Sequence, residues 1–269
     1  MKSFGLLDLN EDLLLKRYQA GESMNALRYE FHCGATTLKT WLTNRGCQTR
    51  DLILSHRKAN FDETYFVQID SHEKAYWLGF LYADGNIYQN KLQLGLALKD
   101  KGHISLFQEH IASNHKLYKD RDSYKLVIRS QKLVDSLGEL GCLPRKSFTL
   151  KFPTKRQVQN QFINSFLLGY FDGDGCISIR SAECCWVFSL VGTKEFLETV
   201  KAILVPVVDS KVSLFKEARS FNNVWVLSVG GGFKTEKGKI KLRKLYEFLY
   251  EKSDFCLQRK REKFEKVLN

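Results

Sequence analysis

The stretch Ala75–Ile87 reads AYWLGFLYADGNI, and Ser165–Ile177 reads SFLLGYFDGDGCI. Gly79, Asp84 and Gly85 of the first return at one constant offset as Gly169, Asp174 and Gly175 of the second. A repeat of this kind means two copies of one structural unit in a single chain. As helices, both copies finish at Asp-Gly, with Gly85 and Gly175 expected where a helix ends on a left-handed residue. Asp70 with Glu73, and Thr154 with Gln157, are the expected capping boxes at their starts. Small residues four apart, Gly79 with Ala83 and Gly169 with Gly173, share one face of each helix, which lets the two pack backbone against backbone.

The sequence after each copy repeats as well. LQLGLAL at 92–98 and WVFSLV at 186–191 alternate as strands do, while HISLFQEHIA at 103–112 and KEFLETVKAIL at 194–204 have helical spacing. YKLVIRS at 124–130 and NVWVLSV at 223–229 predict a further strand, with apolar helices near 131–140 and 240–250. Each half closes on a related string, CLPRKSF at 142–148 and CLQRKREKF at 256–264. The expected fold class is α+β: two pseudo-symmetric halves, 61–153 and 154–269, with their motif helices packed at the interface.

Residues 1–60 belong to neither copy and predict a small all-α domain. Asn10 can cap a helix that Gly21 stops, Ser23 can cap a second through Phe31, and Cys33-Gly34-Ala35 turns into a third from Thr36 to about Thr43. That is helix-turn-helix ordering. The third helix would present Thr36, Thr37, Lys39 and Thr40 at its exposed N-terminal end, the part that reads base edges in such motifs. The alternative is a plain three-helix cap on the main body.

Composition narrows the function classes. A chain of 269 residues holds one large domain and a small one. Nothing approaches the run of about 18 apolar residues needed to cross a membrane. The opening MKSFGLLDLNEDLLL carries early acids rather than a basic end before an apolar stretch, so no secretory leader is expected. The expectation is an intracellular protein, in cytoplasm, nucleoid or organelle matrix. Seven cysteines without a CxxC pair argue against a disulfide framework or a zinc ribbon. Adjacent Cys184 and Cys185 are expected on opposite faces of a strand, and Cys33, Cys47 and His56 fit no standard zinc spacing. Forty-two Lys and Arg against thirty Asp and Glu leave +12, with a pI near 9.3. That excess suits a phosphate backbone, although charge alone names no partner.

If the repeated helices pair, Asp84 and Asp174 emerge side by side at two helix C-termini, where the dipole is already negative and a second carboxylate adds repulsion. Such a pair attracts a cation, and hard oxygen donors suit Mg²⁺, which keeps several waters and takes one or two carboxylates with substrate phosphates. Two or more ions shared between the halves could activate a water and stabilise a departing oxygen on each strand of a duplex, one cut per strand. For a single copy, Asp-Gly would mean no more than a helix end and a turn.

WLGFLYADG at 77–85 and LLGYFDGDG at 167–175 resemble the two signature motifs of the LAGLIDADG homing endonucleases, and the likeness of organisation covers about 200 of the 269 residues. The second copy is the closer; the first has Tyr82 where an acidic residue is frequent and Trp77 where Leu is common. The resemblance implies that Asp84 and Asp174 are metal-binding catalytic acids, that Mg²⁺ is the usual ion, and that each half contributes a saddle-shaped antiparallel sheet lying along the major groove. On those strands Lys91, Gln93, Arg129, Ser178 and Arg180 become candidates for base or phosphate contacts, against the plain alternative of solvated strand faces. It also implies a basic residue in each active site. Lys146 and Lys260 are the choices, Arg145 and Arg259 their rivals, and a merely solvated basic helix at QRKREKFEKVLN the alternative.

The resemblance therefore implies a metal-dependent, site-specific endonuclease acting on double-stranded DNA. Both halves lie in one chain, so a monomer on a long asymmetric site is expected. An intron RNA maturase and a non-cleaving, helix-turn-helix transcriptional regulator are the alternatives; retention of two mutually repelling acids argues against the regulator. An embedded intein is disfavoured because the chain ends Val267-Leu268-Asn269 without a His-Asn ending.

Overall fold

The computed structural model describes residues 6–47, 59–180, 182–217 and 224–268. The chain divides into two units, Met1–Lys58 and Ala59–Asn269, each with a hydrophobic core of its own.

The first unit is helical: α1 (Leu6–Leu9), α2 (Glu11–Gln19), α3 (Met24–Glu30) and α4 (Ala35–Asn44). Gly21, at φ +105°, stops α2 in a conformation that side chains rarely adopt. Ser23 caps α3, its Oγ accepting the Ala26 amide at 3.1 Å. Asn10 occupies the cap position of α2, but its side chain makes no cap bond. Leu14, Tyr18, Leu27, Leu38, Trp41 and Leu42 form the core. Trp41 anchors it, donating from Nε1 to Asp8 at 2.8 Å while Arg45 stacks over its ring at 3.9 Å.

The second unit runs through one pattern twice. The first half is α5 (His72–Asp84), β1 (Gly85–Tyr88), β2 (Lys91–Ala97), α6 (Lys101–His110), β3 (Tyr118–Asp120), β4 (Ser123–Arg129) and α7 (Gln131–Glu139). The second is α8 (Ile163–Asp174), β5 (Gly175–Arg180), β6 (Cys185–Gly192), α9 (Lys194–Val208), β7 (Ser213–Lys216), β8 (Trp225–Gly232), α10 (Glu236–Tyr250) and α11 (Gln258–Leu268). Each half holds a four-stranded antiparallel sheet, in the orders β1-β2-β4-β3 and β5-β6-β8-β7. Registers correspond, Gly85 facing Leu94 in one sheet and Gly175 facing Leu190 in the other.

The motif helices form the centre. Residues 75–82 of α5 and 165–172 of α8 are all buried, which is why neither helix shows a polar stripe. They pack against each other at glycine. A Cβ on Gly79 would come within 1.9 Å of the Phe166 carbonyl oxygen, and one on Gly169 within 1.9 Å of the Tyr76 carbonyl oxygen. On Gly173 it would reach the Ala83 Cβ at 2.2 Å.

Several local expectations are corrected. Ser71, not Asp70, caps α5: its Oγ accepts the Lys74 amide at 3.1 Å, while Asp70 pairs with Lys74 and Glu73 accepts the Tyr65 hydroxyl at 2.6 Å. Gln157 Oε1 does accept the Thr154 amide at 2.8 Å, but that closes a separate turn; a 3-10 turn at Asn160–Phe162 intervenes before α8. Gly85 and Gly175 are not left-handed, lying at φ −68° and −98°. Each leads straight from helix into strand, and glycine is required there by crowding. A Cβ would meet the Leu81 carbonyl oxygen at 2.6 Å or the Phe171 ring at 2.2 Å. The strands β1 and β5 that begin at these glycines were not separated from the motif by sequence pattern, nor were the short β3 and β7. Cys184 turns at φ +50° ahead of β6, so it does not share a strand with Cys185. None of the seven cysteines is in a disulfide.

Replacing Gly79 or Gly169 by Ala should lower unfolding free energy by about 3 kcal/mol, the upper end of overpacking, read from urea denaturation. Gly102→Ala, in α6 with nothing within 4 Å of the new Cβ, should instead leave stability unchanged or raise it by about 0.5 kcal/mol.

Candidate active site

The paired helices end together at Asp84 and Asp174. A Cβ on Gly173 of α8 would lie 3.4 Å from Asp84 Oδ2 of α5, so the first carboxylate reaches across to the opposite helix. Both carboxyls meet solvent on one side and crowded protein on the other. Burial, and then Asp174, push Asp84 up to about 6, against the opposing pull of Lys260, Lys146 and Arg259. Burial also raises Asp174, opposed by Lys146 and Lys260. Two helix C-termini add their negative ends at the same place. The site gathers two desolvated carboxylates with the two lysines beside them.

Both lysines come to this place, by different routes. Lys146 opens a 3-10 turn (Lys146–Phe148) just after Arg145, which stands at φ +55°, and its Nζ donates to the Gly85 carbonyl. Lys260 lies in the first turn of α11, 5% exposed, and its Nζ reaches the carbonyls of Phe171 at 2.7 Å, Asp172 at 2.7 Å, Gly173 at 3.2 Å and Gly175 at 2.6 Å. Desolvation lowers it to about 8. Lys260 thus holds the unsatisfied carbonyls at the end of α8, and Lys146 does the same for one carbonyl at the end of α5. The related closing strings diverge because Pro144 and the left-handed Arg145 interrupt the first, whereas the second runs on as a helix. That helix is not a merely solvated basic segment, since Lys260, Phe264 and Val267 are buried along one side. Arg145 is exposed, and Arg259 is paired with Asp100 at 3.0 Å.

Lys146 and Asp174 also line one cavity of about 190 Å³ with Tyr82, Tyr170 and Thr193, so residues of both halves share it. A larger cavity of about 620 Å³ lies elsewhere, lined by Phe152, Val158, Ile163, Ile203 and Phe248, and holds neither acid.

The strand candidates lie on the sheet faces turned away from the helices. Lys91, Gln93, Ser178, Arg129 and Arg180 alternate with the buried Leu92, Ile177 and Ile128. Lys91 and Arg129 are direct cross-strand partners, an arrangement of like charges that favours an anion over them. Ser178 donates to the Val187 carbonyl at 3.4 Å, and Arg180 pairs with Glu183 at 3.4 Å. In the first unit Thr36, Thr37, Lys39 and Thr40 are exposed on α4, and the Thr40 hydroxyl donates to the Thr36 carbonyl at 2.9 Å. His56 lies outside the described residues.

Sequence reasoning missed a buried polar network behind the acids. Asp172, 1% exposed, accepts at Oδ2 from the Tyr76 hydroxyl at 2.7 Å and from the Leu257 amide at 2.7 Å. The Tyr76 oxygen stands 2.8 Å from His103 Nε2. With the Tyr76 proton committed to Asp172, the imidazole, held neutral by burial that lowers it to about 4, is the donor to Tyr76. The doubled Asp of FDGDG was the only sequence sign of this, and nothing local tied it to Tyr76 or Leu257.

No family model matches the chain, and no curated protein matches it. Among solved structures it is similar to the meganuclease I-SmaMI bound to uncleaveable DNA, at 11% identity over 72% of this chain and 87% of that one, TM-score 0.47. It is similar as well to the I-LtrWI LAGLIDADG homing endonuclease bound to target DNA, at 11% identity over 77% and 90%, TM-score 0.47. A third is the LAGLIDADG meganuclease I-AabMI bound to uncleaved DNA, at 12% identity over 72% and 89%, TM-score 0.45. Likenesses of this size assign no residue a role, and the geometry above stands by itself.

Lys260→Met should cost about 2 kcal/mol of stability, the scale of hydrogen bonds made by a charged group, because several buried carbonyls lose their donor together. Lys146→Met, at a half-buried position with one carbonyl partner, should cost less than half of that in the same thermal unfolding series.

Proposed function

We propose that this chain is a site-specific, metal-dependent endonuclease that cuts double-stranded DNA, one cut per strand, as a monomer on a long asymmetric site. One observation carries the reading. Two carboxylates, one per half, stand together at the ends of helices in backbone contact, and each helix leads directly into a four-stranded sheet. A structural role for either Asp-Gly gives no reason to bring two such acids to one spot, where each raises the other's cost.

The donor set fits Mg²⁺. Asp84 and Asp174 supply hard oxygen ligands side by side, where burial makes each costly to leave charged without a cation. An Mg²⁺ ion held by these two carboxylates would keep waters and take phosphate oxygens for its remaining positions. When bound, such an ion supplies Lewis acidity and an activated water.

The chain's own groups do the rest. Lys146 and Lys260 keep positive charge beside both acids, where it can meet the charge that develops on a scissile phosphate. Lys91, Gln93, Arg129, Ser178 and Arg180 would contact the duplex from the open sheet faces. Thr36, Thr37, Lys39 and Thr40 on α4 would extend the contact as a helix-turn-helix reader. The net charge of +12 favours the backbone contact that such a long site needs. Among the described residues no helix is long and apolar enough to cross a membrane.

With Mg²⁺ and a library of randomised plasmids, the wild-type chain should make double-strand cuts at a narrow set of sequences. Asp84→Asn and Asp174→Asn should each lower the rate by about a thousandfold or more while DNA still binds. Binding without cutting by the wild type would overturn the nuclease reading in favour of an RNA maturase or a regulator. Deleting residues 1–58 should weaken DNA affinity and flatten its dependence on salt; an unchanged slope of log affinity against log salt would remove the first unit from the interface.

A further inference from the structure

Position 82 of the first motif and position 172 of the second correspond, yet one is Tyr and the other Asp. The first motif's departure from an acid there is the odd feature of the repeat. Both side chains are fully buried, at 1% exposure each, and Tyr82 also borders the cavity that holds Lys146 and Asp174. Each bonds to the main chain of the segment that closes its own half. The Tyr82 hydroxyl donates to the Leu140 carbonyl. The next residue, Gly141 at φ +91°, presses so near that a Cβ would lie 2.3 Å from that hydroxyl, and Cys142 Sγ then reaches the Leu81 carbonyl at 3.6 Å. Asp172 accepts the Leu257 amide, and Leu257 is the residue just before α11, its carbonyl accepting the Lys260 amide at 2.8 Å.

We infer that Tyr82 and Asp172 are equivalent positioning residues, each gripping the main chain just ahead of one lysine and so setting Lys146 and Lys260 against the ends of the motif helices. The polarity of the grip is reversed between halves. In the first, a side-chain donor takes a carbonyl; in the second, a carboxylate takes an amide at the positive start of a helix. The Asp172 grip also spans the halves, because Tyr76 of α5 donates to the same oxygen. Loss of either grip frees one lysine and leaves the other in place. Both positions act through the lysines and touch no substrate. The inference rests on the nuclease reading only for its effect on cutting; the placement of the lysines is tested separately.

The direct test is amine labelling with an N-hydroxysuccinimide acetate, read peptide by peptide by mass spectrometry, with exposed Lys263 as internal standard. In the wild type Lys260 should label slowly. Asp172→Ala should raise Lys260 labelling at least tenfold and leave Lys146 unchanged, while Tyr82→Phe should raise Lys146 and leave Lys260 unchanged. Asp172→Asn should restore protection, since an amide oxygen accepts the same two donors, and Asp172 Oδ1 has no hydrogen-bond partner among the described residues to lose. Uniform exposure of both lysines by either variant, or an Asp172→Asn chain that labels like Asp172→Ala, overturns the inference. Should Asp172→Ala fail to fold, hydrogen exchange of the wild-type Leu257 amide decides: strong protection supports the grip, and exchange as fast as an open loop overturns it. On a cleavable duplex, Asp172→Ala and Tyr82→Phe should each slow one strand's cut by about ten- to a hundredfold, the scale of a 1 Å misplacement, and on opposite strands, with DNA affinity within about twofold of wild type. Equal slowing of both strands overturns the inference. If no duplex is cut by the wild type, the nuclease reading fails while the labelling result stands.

Discussion

The contact of the Phe166 carbonyl with Gly79, and of the Tyr76 carbonyl with Gly169, is the constraint on which the rest of the body depends. Main chain meets main chain at two reciprocal points, so the helices have one depth of approach and no side chain to adjust it. Their ends, and the acids on them, are placed by that contact. Gly85 and Gly175 then turn each chain into its sheet with no loop between, which carries the same placement outward to the strand faces. Burial on every side of both helices keeps them from tilting individually, because any rotation would open voids in a close-packed core.

A second principle is exchange between the halves. Each acid feels the lysines of both halves, and the cavity beside Asp174 holds Lys146. Asp100, at the start of α6, binds Arg259 at the start of α11. The ring of Phe255 stacks on Trp77 with centroids 5.9 Å apart and meets Tyr76 edge-on at 4.9 Å. The segment 255–261 is therefore as much a part of the first half's core as of the second's. This explains how the large Trp77 is accommodated: its ring lies among Phe107, His103 and Phe255 and its Nε1 donates to His110 at 2.7 Å.

The sequence made the duplication legible because small residues and Asp-Gly are demanded at fixed points by backbone approach and by the helix-to-strand passage, and such demands leave an invariant spacing inside one chain. The long strands β2, β4, β6 and β8 and most helices follow from periodicity. The short strands did not, because β3 and β7 are edge strands of a few residues whose pairing depends on their neighbours. Helix starts were misread where tertiary contact chose among several polar residues: Ser71 over Asp70, and an uncapped start at Ile163 over Thr154. Glycine at 85 and 175 was read correctly as a helix end but for the wrong reason, since steric approach and left-handed geometry call for the same residue. The network of Asp172, Tyr76, His103 and Leu257 was out of reach, because its members are far apart along the chain and none belongs to a periodic pattern.

The closing segment has a consequence for the order in which the protein is made. Trp77, Tyr76 and Asp172 emerge from the ribosome well before Phe255 and Leu257, and until those arrive a stack of aromatic rings and a buried carboxylate lack their covering. The first half therefore cannot finish its core during its own synthesis, and its completion is tied to a contact between distant parts of the chain, the kind that forms slowly. A product truncated before Phe255 would carry both acids yet lack Lys260 and an intact first-half core, so the arrangement couples assembly of the acid pair's surroundings to completion of the second half.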